Sequence, residues 1–132
     1  MINGSKKKII IADDDKRIRF CMRLALEIAG YAVECFPDGI AALHAIAAAW
    51  QNGHPYDLLI CDVQMPHLNG EELLDLLSGR GLMLPVIVIT GIGINESVLK
   101  KTFTEGGLIY KPVDSDRMVE RVRFILENAV NT

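Results

Sequence analysis

The sequence predicts a doubly wound α/β sandwich, a five-stranded parallel sheet with helices on both faces. Three observations lead there. Short apolar runs alternate five times with stretches of helical periodicity. The runs in "DLLICD" (57–62) and "PVIVIT" (85–90) have no polar alternation, as strands buried on both faces require. Parallel strands need long crossovers, and right-handed crossovers carry helices to both faces.

Each element follows in order. Residues 9–12 form the first buried strand. From 16 to 29, Ile18, Cys21, Met22, Ala25 and Ile28 recur at helical spacing, and Gly30 ends the helix as a C′ glycine. "YAVECF" (31–36) is strand-like and "PDG" (37–39) is a turn signal. Residues 40–50 are Ala-rich and helical, and "QNGHP" (51–55) breaks them. The strand at 57–62 ends in Asp62, and "MPHLNG" (65–70) is a loop. A helix over 71–77 carries Leu73, Leu74 and Leu77 on one face. After the strand at 85–90, "GIGIN" (91–95) is a loop, and Asn95 is the expected N-cap of a fourth helix burying Val98, Leu99, Thr102 and Phe103. "GGLIYKP" (106–112) holds a short fifth strand. Residues 114–128 form the last helix, with Met118, Val119, Val122, Ile125, Leu126 and Ala129 as its stripe.

At 132 residues the chain is expected to be one domain. Half the residues are hydrophobic and 23% are charged, an ordinary globular balance. The net charge of −3 argues against direct nucleic-acid binding, which wants a basic surface. No apolar run is long enough to span a bilayer, so no membrane partner is expected. Residues 1–6 read as a polar leader or cloning scar, and 130–132 as a tail. The three cysteines, Cys21, Cys35 and Cys61, are odd in number and widely spaced, so they are expected to be reduced, buried thiols of a cytoplasmic protein.

Ligands of such folds bind beyond the carboxyl ends of the strands. There this chain places Asp13 and Asp14 after the first strand, Asp62 after the third, Thr90 after the fourth and Lys111 after the fifth. Three carboxylates together raise one another's pKa unless a cation pairs with them. An all-oxygen ligand set favours Mg²⁺, and a lysine and a hydroxyl beside it suit a phosphoryl group. A carboxylate can itself attack phosphorus. Asp15, at the start of the first helix, is expected to serve the helix dipole rather than the metal. His67, in the loop after Asp62, reads as an exposed loop histidine.

The blocks "IIIADDD", "LLICDVQMPHLNG", "PVIVITG" and "YKP", in this order over residues 7–129, resemble the signature of response regulator receiver domains. The resemblance implies a flavodoxin-like (βα)5 fold with strand order 2-1-3-4-5. It implies that Asp62 is the phosphoacceptor of a two-component phosphorelay. Asp13, Asp14, Asp62 and the main-chain carbonyl of Gln64 would hold Mg²⁺, with Mn²⁺ able to substitute. Thr90 and Lys111 would contact the phosphoryl group, and the bond before Pro112 would be cis. The implied partners are a sensor histidine kinase or phosphotransfer protein, and a second copy on phosphorylation. The implied output face comprises the fourth helix, fifth strand and fifth helix. The chain would be a signalling phosphoacceptor rather than a turnover enzyme.

Several positions depart from the family pattern. Leu108 stands where an aromatic switch is usual, and Tyr110 follows two residues later. Gly91 and Val113 replace the more frequent Ala and Phe. Ile92, two residues after Thr90, is too apolar to orient an attacking water, which predicts a long-lived phosphorylated state. Phe124 falls off the apolar stripe of the last helix, so it is read either as a partner surface or as a ring packed on its own neighbours. The alternative function is a docking module that works without phosphorylation. A phosphohydrolase is disfavoured because Gln64 stands where an acid/base carboxylate is wanted. A P-loop nucleotide site is disfavoured because GxxxxGK[ST] is absent.

Overall fold

Successive side chains of a strand point to opposite faces of the sheet, so a strand that is apolar throughout supplies two cores. The structure is a computed structural model and describes residues 6–91 and 107–129. Its strands are β1 (Lys8–Ala12), β2 (Ala32–Phe36), β3 (Leu58–Asp62), β4 (Val86–Thr90) and β5 (Leu108–Tyr110). Helices α1 (Lys16–Ile28), α2 (Gly39–Gln51) and α3 (Gly70–Gly79) follow the first three, and a C-terminal helix (Ser115–Ala129) follows β5. All neighbouring strands are parallel, in the order β2-β1-β3-β4-β5. This is the fold class and strand order expected. The expected helix with Asn95 as its N-cap, and Ile92 before it, lie outside the described residues.

The two cores divide by strand parity. Ile9, Ile11, Leu58, Ile60, Ile87 and Ile89 pack with Met22 and Leu26 of α1 and Met118 and Val122 of the C-terminal helix. Ile10, Leu59, Cys61, Val86 and Val88 pack with Ile46 of α2 and Leu73 and Leu77 of α3. Each fully buried Ile or Leu contributes about 1.5–3 kcal/mol. That support offsets the repulsion among carboxylates collected at one edge of the sheet.

Two expectations need correction. The buried face of α1 is centred on Met22 and Leu26, flanked by half-buried Ile18 and Ala25. Ile28 lies two residues from Leu26, about 200° around the helix, and is 78% exposed. Cys21 is exposed for the same reason and Cys35 is half-buried, so only Cys61 is the expected buried thiol. The apolar residues of α1 spread wider than the face it buries, and periodicity alone mislocated that face.

Helix starts are set by side-chain caps that the turn signals conceal. Asp38 of "PDG" accepts from the Ala41 N–H at 2.9 Å, starting α2 at Gly39. Asn69 and Glu72 form a reciprocal capping box that starts α3 at Gly70. Gly30 follows the α1 cap with φ +104°, the left-handed C′ geometry expected of it.

Candidate functional site

The strands of the sheet all end at one edge, so their terminal residues meet without being close in sequence. Asp13 leaves β1 fully buried, at 0% exposure. Its N–H donates to the Phe36 carbonyl at 3.1 Å, which ties it to the end of β2. Its Oδ1 accepts from the Asp15 N–H at 2.8 Å, and its carbonyl accepts from Arg19 Nη1 at 2.7 Å. Asp13 Oδ2 is buried and has no hydrogen-bond partner among the described residues.

Asp62 closes β3 and is 2% exposed. Its Oδ1 accepts from the Gln64 N–H at 3.1 Å and its Oδ2 from Lys111 Nζ at 2.9 Å. Gly70 lets α3 start against the end of β3, where its N–H donates to the Val63 carbonyl at 2.9 Å. A Cβ at Gly70 would lie 2.6 Å from the Asp62 carbonyl oxygen. Asp14 is exposed, yet a carboxylate oxygen from each of Asp13, Asp14 and Asp62 lies within 4.8 Å of the others.

The electrostatics follow from burial and crowding. Burial pushes the Asp13 carboxyl up to about 6; the Asp15 N–H opposes this, Asp62 and Asp14 add to it, and Lys111 works against it. Burial disfavours the Lys111 charge, but the hydrogen bond and charge of Asp62, then Asp13 and Asp14, outweigh it and hold the ammonium above its ordinary range. Cys61, in contact with the core, is pushed up to about 12 by burial and then by Asp62 and Asp13, so its thiol stays protonated. Three carboxylates with one buried, unbonded oxygen suit a hard divalent cation that takes oxygen ligands. The cluster could therefore hold a metal.

The other expected residues fall as follows. Thr90 ends β4 at 4% exposure, one position beyond the Ile89 that pairs with Asp62, and its hydroxyl donates to the Gly91 carbonyl at 3.3 Å. The Lys111 N–H donates to the Thr90 carbonyl at 2.8 Å, and Lys111–Pro112 is cis. Gln64 is exposed, and it engages Asp62 through its N–H. Asp15 is the N-cap of α1, accepting from the N–H groups of Arg17 and Ile18, as its place at the helix start implied. Leu108 is half-buried against the α2–α3 side, while Tyr110 is 56% and Phe124 46% exposed, both outside the carboxylate cluster. His67 is exposed with φ +67°.

Sequence reasoning missed Arg19 and Gly70. Gly70 had a signal, because "NGEE" (69–72) reads as a cap followed by a helix start. Arg19 had none, since an arginine on an amphipathic helix reads as a solvated face.

Comparison with known proteins agrees with this arrangement. The family model for the response regulator receiver domain matches residues 9–123. Response regulator MprA of Mycobacterium tuberculosis is 34% identical over 120 residues, covering 90% of this chain and 50% of its own length. The chain thus spans about half the length of the curated relatives it matches. The receiver domain of the Francisella response regulator 1452 superposes with a TM-score of 0.80 at 26% identity, covering 94% of this chain and 99% of its own. A CheY-like receiver domain protein from Methanospirillum hungatei gives 0.78 at 27% identity, covering 94% and 96%. A family match over most of the chain, on the fold and strand-end chemistry described above, means that the chain belongs to the response regulator receiver domain family.

Proposed function

We propose that Asp62 accepts a phosphoryl group from a phosphohistidine on a sensor kinase or phosphotransfer protein. The observation that supports this most is Asp62 itself, a buried carboxylate 2.9 Å from Lys111 Nζ and beside two further acids. A lone pair of the Asp62 carboxylate attacks phosphorus as the phosphorus–nitrogen bond of the donor breaks. The nitrogen keeps the bonding pair, and the donor ring, already protonated on its other nitrogen, leaves as neutral imidazole. Lys111 balances charge on the equatorial oxygens, and the Thr90 hydroxyl, turning from the Gly91 carbonyl, donates to one of them. Asp13, Asp14, Asp62 and the main-chain carbonyl of Gln64 would hold Mg²⁺, or Mn²⁺ in its place. The ion, when bound, neutralises charge shared between carboxylate and phosphoryl oxygens.

The acylphosphate so formed on Asp62, within a domain spanning residues 7–129, would bias the face built on β5 and the C-terminal helix, where Leu108, Tyr110 and Phe124 lie, toward another arrangement or a second copy. The setting is cytoplasmic. The chain acts as a signalling phosphoacceptor, with self-catalysed phosphotransfer and slow dephosphorylation.

A labelled small acyl phosphate with Mg²⁺ tests the carboxylate as acceptor. The label should need Mg²⁺ and should be released by hydroxylamine, which cleaves acylphosphates. Label that survives hydroxylamine would lie on a hydroxyl and would overturn the reading.

A further inference from the structure

We infer that Arg19 is a positioning residue for the cation site, holding Asp13 so that its free oxygen faces the other carboxylates. This rests on the reading that Asp13 helps to hold Mg²⁺. The backbone of Arg19 belongs to the first turn of α1, where its N–H donates to the Asp15 carbonyl at 3.0 Å. Its side chain reaches back six residues, and Nη1 donates to the Asp13 carbonyl at 2.7 Å. A short hydrogen bond from a guanidinium is charge-assisted and stronger than a neutral one. It ties the start of the helix to the end of the strand and closes the loop that carries Asp13, Asp14 and Asp15.

The rest of Asp13 is fixed to match. The N–H is held by the Phe36 carbonyl and Oδ1 by the Asp15 N–H. With the carbonyl held by Arg19, Oδ2 is the one polar atom of Asp13 without a hydrogen bond among the described residues, and it is buried. That oxygen is the one left for a cation. Groups that orient metal ligands from outside the ligand shell commonly set affinity by an order of magnitude or more.

A positioning role and a charge role predict opposite signs. A cation beside an acidic cluster weakens Mg²⁺ binding by repulsion, so removing its charge alone should tighten binding. Removing a positioning contact should weaken it. Arg17, exposed on the same turn, is the charge control.

The test is calorimetric titration of Mg²⁺ into the full chain at neutral pH. Arg19→Ala should weaken binding about tenfold, the lower end for an orienting contact. Arg19→Lys, which keeps the charge and a donor, should recover most of the loss. Arg17→Ala should bind as wild type or tighter. Arg19→Ala binding as tightly as wild type, or tighter, overturns the inference.

A second readout is the Mg²⁺ dependence of label uptake from a small acyl phosphate. In Arg19→Ala the half-saturating Mg²⁺ should rise by the same factor while the limiting rate stays put. A fallen limiting rate with an unmoved midpoint also overturns it. If wild type takes up no label, the phosphoacceptor reading fails, and the titrations still decide the role of Arg19. Should Arg19→Ala not fold, Arg19→Gln takes its place with the same two outcomes.

Discussion

Lys111→Met should destabilise the metal-free protein at neutral pH by about 2–4 kcal/mol, a drop in Tm on the order of 10 °C. Lys111 is the cation paired with Asp62 at 2.9 Å, and Asp62 has almost no solvent to fall back on. Removing one partner of a buried pair leaves the other's charge uncompensated. It also removes a group that lowers the Asp13 pKa, so the Asp13 proton is held more tightly in the variant. The deficit should therefore shrink as pH falls toward 5, where Asp13 becomes protonated. Added Mg²⁺ should restore part of the loss by replacing the missing positive charge. Thermal melts over pH, with chelator and with Mg²⁺, read all three effects. An unchanged Tm at pH 7.5 in chelator would contradict the role given to the pair.

Asp13→Asn should do the opposite and stabilise the metal-free protein at neutral pH, by about 1–3 kcal/mol on the scale of 1.36 kcal/mol per pKa unit. The folded carboxyl stands at about 6, above its ordinary value of 3.8, so the fold binds this proton more tightly than the unfolded chain does. Stability from this group is full below about pH 4, declines between pH 4 and about 6, and is gone above. Asparagine keeps an oxygen for the Asp15 N–H and carries no charge at any pH. The wild-type decline between pH 4 and 6 should flatten in the variant. Mg²⁺ should raise the Tm of wild type, less so below pH 6 where the proton competes, and should scarcely move the variant. A variant less stable than wild type in chelator at pH 7.5, or one that responds equally to Mg²⁺, would contradict this.

The legibility of this protein divides along physical lines. Strands buried on both faces announce themselves, because every residue from Leu58 to Cys61 must be apolar to fill one core or the other. The strand ends then follow, and with them the meeting of Asp13, Asp14, Asp62 and Lys111 at one edge. Strand order is not in the periodicity, and it came only through the resemblance of four short blocks. The inner face of α1 was misjudged because Phe20, Leu24 and Ile28 are apolar yet exposed, so the apolar stripe is wider than the face that is buried. What fixes the site in detail was illegible for another reason. The Arg19 bond is a side chain meeting a backbone carbonyl, and the Gly70 approach is a matter of missing volume. Neither leaves a periodic mark.

The central claim is that the carboxylate of Asp62 takes the phosphoryl group. Intact mass after incubation with Mg²⁺ and a small acyl phosphate measures it most directly, with wild type and Asp62→Asn side by side. Asparagine keeps the size of the side chain and removes the nucleophilic oxygen anion. One phosphoryl adduct on wild type and none on the variant is the result expected. No adduct on wild type, or the same adduct on both, would contradict it.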